Sequence, residues 1–136
     1  MLVLRFRLPS DLGLAHPNAR LIALVKRFED QRLLEMRDLM IVFTMRFKPS
    51  GALHVQFEAA RSFAWTKLCV ERRLAVVVVQ HQPGLSGYAE GKPHCHLLIF
   101  ACELHDSNFL GFTPLLKGPP KAALAAERAA WLAKLA

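Results

Sequence analysis

An α+β domain, with a central antiparallel sheet and helices mainly on one of its faces, follows from three features of the sequence. Two apolar runs at 74–79 and 97–102 flank a Gly- and Pro-containing segment at 82–92, the pattern of a hairpin. A third run of strand composition, at 40–47, precedes them. The segment between that run and the hairpin repeats its apolar residues at helical spacing, so the core order is strand, helix, strand, strand.

Leu2, Leu4, Phe6 and Leu8 alternate with Val3, Arg5 and Arg7, which predicts a half-exposed opening strand that stops at Pro9. Pro17 suits a first helical turn, where its missing N–H is no loss; Leu21, Leu24, Val25 and Phe28 follow at helical spacing, and the helix is expected to reach about Arg37. Residues 40–47 read MIVFTMRF, side chains that fit a pleated surface, and end at Pro49-Ser50-Gly51. Ser50 can cap the next helix, with Leu53, Phe57, Ala60, Ala64 and Leu68 as its apolar stripe. Phe63 and Trp65 could stack on nucleic-acid bases, but in the middle of that amphipathic helix they are expected to pack in the core. The hairpin strands come next, and the composition of 103–118 is irregular. Pro119-Pro120 opens an Ala-rich terminal helix whose Leu124, Trp131, Leu132 and Leu135 can dock on the sheet.

The chain of 136 residues with 53% apolar content fits one domain, with its core at 39–103, an N-terminal strand and helix at 1–38 and the terminal helix at 119–136. No apolar run approaches the roughly 20 residues that cross a bilayer, and no secretory leader pattern is seen, so no membrane partner and a cytoplasmic location are expected. Three cysteines without a Cys-x-x-Cys spacing indicate reduced thiols. Eighteen basic against 11 acidic residues give a net charge of +7, a balance that favours polyanionic partners.

The residues that carry chemistry are in Gly91-Lys92-Pro93-His94-Cys95-His96-Leu97-Leu98. Positions i and i+2 of a strand project to one side, so His94 and His96 present two imidazoles about 6–7 Å apart at their origins, half of a metal site. The preceding strand lies alongside, and Gln80 or His81 can supply the third ligand. Which one does depends on register, because adjacent residues face opposite ways.

These residues resemble the HUH endonucleases, in particular the rolling-circle replication initiators of the bacteriophage replication gene A type and of plasmids. The family is similar in having a strand that ends in an acidic residue, a Gly-containing hairpin and a Pro-His-aromatic-His-Leu-Leu strand, here matched by Val76 to Gln80 and Pro93 to Phe100. Phe43-Thr44-Met45 with Pro49-Ser50, and Trp65 in a basic helix, look like the first core strand and crossover helix. The likeness covers about residues 39–100. It implies that His94, His96 and a third polar group hold Mg²⁺ or Mn²⁺ against the scissile phosphate of single-stranded DNA. It further implies that a tyrosine from a later helix forms a 5′-phosphotyrosyl link. Lys92, Arg46 and Lys48 are the candidate contacts to the DNA backbone.

The chain departs from that pattern in three places. Gln80 stands where the family has Glu, and an amide is a weaker ligand for a hard cation. Cys95 replaces the aromatic between the histidines. Tyr88, the only tyrosine, precedes the motif, so a catalytic role for it would require the hairpin tip to fold back on the site, and its expected role is that of a loop aromatic. The chain therefore reads as a truncated, split or decayed relative, with a partner chain as one source of a tyrosine. Two further readings stand beside it: a non-catalytic single-stranded nucleic-acid-binding protein, and a small metal-binding regulatory protein. Glu90 is a weaker candidate ligand than Gln80, and His54 and His105 are expected at the surface.

Overall fold

A computed structural model of the chain describes residues 2–4, 17–31, 39–49, 51–81, 92–106 and 108–135. Its architecture is α+β. Strands β1 (Leu2–Leu4), β2 (Met40–Arg46), β3 (Leu74–His81) and β4 (His94–His105) form an antiparallel sheet in the order β1-β3-β4-β2, and β5 (Asn108–Phe112) pairs with the end of β4. Helix α1 is Pro17–Gln31, α2 is Leu53–Phe63 and α3 is Gly118–Ala133. The part of the opening strand beyond Leu4, residues 32–37 of the first helix, Ser50, and the loop with Tyr88 and Glu90 lie outside the described residues.

The sheet separates two apolar clusters, as strand alternation requires. Met45, Val76, Val78, Cys95, Leu97 and Ile99 face α2 and α3, where Phe63, Leu68 and Leu124 meet them. Ala75, Val77, Phe100, Cys102 and Leu104 face the other way, onto Leu24 and Phe28 of α1 and onto Phe109 of β5. Phe28 sits edge-on to both Phe100 and Phe109, with ring centroids 5.0 Å apart in each pair. Helices therefore lie mainly on one face, with α1 covering part of the second.

Local expectations fail where tertiary contacts outweigh pattern. Helix α2 has Ala52 at its N-cap and no side-chain cap among the described residues. Its buried side is Gln56, Ala59, Ala60 and Phe63, while Leu53 is exposed and Phe57 half-buried. The helix then widens into a π-helical stretch, Ala64–Val70, closed by the Glu71 N–H donating to the Thr66 carbonyl five residues back. Leu68 and Cys69 are inside, while Trp65, off the side that Ala60, Phe63 and Ala64 bury, is 44% exposed, against the expectation that it packs in the core. Arg73, at φ 57°, turns the chain into β3.

The described residues of 103–118, a stretch read as irregular, are largely in regular elements. Strand β4 runs on to His105, and His105 pairs with Asn108 across a tight turn with Asp106 at φ 56°, a left-handed position that Asp tolerates. Of the terminal-helix residues, Leu124 is buried and Trp131 and Leu132 pack on the core, but Leu135 lies past the helix end and is 46% exposed.

Candidate metal centre

The register of β3 on β4 sets His81 opposite His94 and Val79 opposite His96, while β2 sets Thr44 opposite His96. His81, His94 and His96 thus share one sheet face, the one on which Val77 and Phe100 also lie. His81 Nδ1 lies 3.1 Å from His94 Nε2, and His94 Nε2 lies 3.1 Å from His96 Nε2. One ligating nitrogen from each of the three lies within 4.8 Å of the others. A tetrahedral ion bonded to nitrogen at about 2.0–2.1 Å holds its ligand atoms about 3.3 Å apart, which the two 3.1 Å pairs approach, while the set as a whole spreads to 4.8 Å and would have to draw together around an ion.

Second contacts orient the rings. His94 Nδ1 is 3.0 Å from the Lys92 carbonyl, which only accepts, so that nitrogen carries the proton and Nε2 presents a lone pair. His96 Nδ1 is 3.1 Å from Thr44 Oγ1. The Thr44 hydroxyl can accept from Nδ1, which leaves the Nε2 lone pair for an ion beside that of His94, or donate to it, in which case His96 Nε2–H donates to His94 Nε2. Thr44→Val, which keeps the shape and removes the hydroxyl, is expected to weaken divalent-ion binding by about 10–100-fold without unfolding the chain, as titration calorimetry would measure.

His96 is held below the ordinary imidazole range, first by burial and then by the positive charge of His94, His81 and Arg46. It therefore stays neutral, as a metal ligand must. Above pH of about 6.5 the ring is neutral in folded and unfolded chains alike; below it, the unfolded chain takes up a proton that the folded one resists. Stability of the metal-free chain is expected to fall as pH drops through this range, and the urea midpoint of His96→Ala should depend on pH less steeply. Equal slopes would remove His96 as the source.

The neighbouring candidates fall elsewhere. Gln80 points to the opposite face, where its Nε2 donates to the Leu53 carbonyl at 2.8 Å, so it is not the third ligand; strand alternation gives that place to His81. Cys95, between the two histidines, is buried on the α2 side with its thiol pushed up to about 11 by burial, and does not ligate. Lys92 is exposed and acts at the centre through its backbone carbonyl, and Arg46 stands opposite His94. Lys48 lies beyond the end of β2 and His54 is exposed on α2. His105 is at the far end of β4, beside Glu103 and Arg73, away from the cluster. Thr44 is the residue that the sequence reading missed, since only the β2–β4 register reveals a hydroxyl opposite a histidine.

No helix among the described residues is long and apolar enough to cross a membrane. No protein-family model, curated protein or solved structure matches this chain.

Proposed function

We propose that the chain holds a divalent ion at His81, His94 and His96 and uses it to engage the phosphate backbone of single-stranded DNA, as the resemblance to HUH endonucleases implies. The observation that carries this reading is the convergence of three imidazole nitrogens, two of them with second contacts, on one sheet face. An all-imidazole donor set suits borderline ions, so Zn²⁺ should bind more tightly than Mn²⁺, and Mg²⁺ weakest, in place of the Mg²⁺ or Mn²⁺ that the resemblance suggests. When bound, the ion supplies Lewis-acid polarisation of a phosphate oxygen. The protein fixes the three donors, and Arg46 and Lys92, both exposed, add positive charge for a polyanion.

Retention of a fluorescent single-stranded oligonucleotide, measured with added ion or with chelator across a salt series, tests the proposal. Binding should be stronger with the ion, salt-sensitive, and reduced in His94→Ala. Identical binding in chelator would refute it. A second reading, binding without cleavage, is favoured by the position of Tyr88, the only tyrosine, ahead of the histidine strand. A protein-linked DNA product in the same samples would decide for cleavage, and its absence alongside metal-dependent binding would decide for the second reading.

A further inference from the structure

Strand β2 ends the sheet order, so one of its two sides has no strand beside it. The Leu39 carbonyl accepts from the Ala101 N–H and the Phe47 N–H donates to the Pro93 carbonyl, which turns the backbone groups of the odd-numbered residues 39–47 toward β4. Those of Met40, Val42, Thr44 and Arg46 therefore point away from the sheet. Arg128 closes part of this row by donating to the Thr44 carbonyl at 3.0 Å. The backbone N–H and C=O of Met40 and Val42 have no hydrogen-bond partner among the described residues.

The side chains around these groups are uncharged and exposed. Val42 is 62% exposed, Leu39 43% and Met40 40%. Val25 of α1, itself exposed, borders a hollow of about 100 Å³ together with Leu39 and Met40. Ala101 donates to Leu39 and accepts from the Thr113 N–H, so β5 prolongs the same edge, and its Leu110 and Phe112 are exposed as well. Half of the twelve large apolar residues exposed among the described residues thus lie along this one border. Unpaired backbone groups flanked by apolar side chains are a template for one more strand.

We propose that this strand is β2 of a second copy of the chain, paired antiparallel about a twofold axis at Ile41. Met40 then stands opposite the partner's Val42, and each such pair exchanges two N–H to C=O bonds, four in all, from groups that are otherwise free. A register centred on Val42 would need the Thr44 carbonyl that Arg128 already holds. Charge favours the same occupant. The chain carries +7, so two copies meet best where their cations stay apart, and Met40–Phe43 holds no charge. The Arg46 residues of the two copies stand five positions from the axis on opposite sides, roughly 34 Å apart and far beyond a screening length of about 8 Å. The axis is perpendicular to the sheet, so both histidine clusters lie on one face of a continuous sheet. With His96 opposite Thr44, strand rise and spacing put the two clusters roughly 25 Å apart. The pairing uses no metal ligand and stands or falls apart from the proposed function.

Sedimentation velocity of the full chain in chelator, from low micromolar to sub-millimolar concentration, tests the pairing. The mass should pass from one chain to two and no further. Val42→Lys, at an exposed edge position, should hold it at one chain with an unchanged urea midpoint. Val42→Pro removes an outward N–H and none that β4 uses, so the dimer dissociation constant should rise about thirtyfold with the loss of two of the four hydrogen bonds. Ile41→Cys falls at a non-hydrogen-bonded pair with Cα atoms about 4.5 Å apart, and should form an interchain disulfide on oxidation. Arg46→Cys, at roughly 34 Å from its copy, should not. The two cysteine variants decide the matter if Val42→Pro does not fold. The proposal is overturned if the chain stays single at every concentration, which would leave the edge to a strand of another protein. It is equally overturned if Val42→Lys associates as the parent does, or if the dimer cross-links at residue 46 and not at 41.

Discussion

His94→Ala is expected to reduce divalent-ion affinity beyond the roughly 10–100-fold that loss of a second-shell partner costs, because His94 Nε2 is the atom that both other imidazoles face. Two ligands on different strands would remain, His81 on β3 and His96 on β4, too few for a tetrahedral site with an open position. The fold should survive. His94 is half-buried at the start of β4, outside both apolar clusters, and its loss also relieves the crowding of three rings. Calorimetric titration with Zn²⁺, alongside a urea melt of each form, checks both statements. Near-parental affinity in a folded His94→Ala chain would show that the cluster is a polar patch and not a metal centre.

Phe63→Ala is expected to be the most destabilising single change, at about 3–5 kcal/mol. Phe63 has no exposed surface, stacks on Phe43 of β2 with centroids 6.1 Å apart, and meets Trp131 of α3 edge-on at 5.7 Å. One ring thus joins the sheet, α2 and α3. Trp131 in turn donates from Nε1 to the Ala59 carbonyl at 3.1 Å, and the Arg128 guanidinium lies 4.4 Å from the centre of the Phe43 ring while donating to the Thr44 carbonyl. A cavity at residue 63 would loosen this whole seam, and a domain of ordinary stability, about 5–15 kcal/mol, has little to spare. Denaturant unfolding gives the number. A loss near 1 kcal/mol would mean that the site collapses around the missing ring and that the seam rests on other contacts.

The parts legible in the sequence were those with short-range causes. The antiparallel sheet was announced by the apolar runs at 40–47, 74–79 and 97–102 and by the turn residues at 82–92, and α3 by Pro119-Pro120 and its spacing of Leu124, Trp131 and Leu132. Cys95 facing away from the two histidines follows from the two-residue period of a strand. Less legible were features that depend on partners distant in the chain. The Asp106 turn and β5 have weak local signals and are held by pairing with β4 and by Phe28 against Phe109. The buried stripe of α2 turned on Gln56, a polar residue that periodicity marks as surface, because its amide satisfies the Lys48 carbonyl.

The sequence by itself determined that His94 and His96 share a side, since i and i+2 in any strand must. It could not choose between Gln80 and His81, because a shift of one residue in the β3–β4 pairing exchanges the two faces. Only the assembled sheet decided for His81, by setting it opposite His94, and only the β2 edge, held by Arg128 at the Thr44 carbonyl, brought a hydroxyl to His96. Register is a property of two strands packed on one core, so no single segment encodes it.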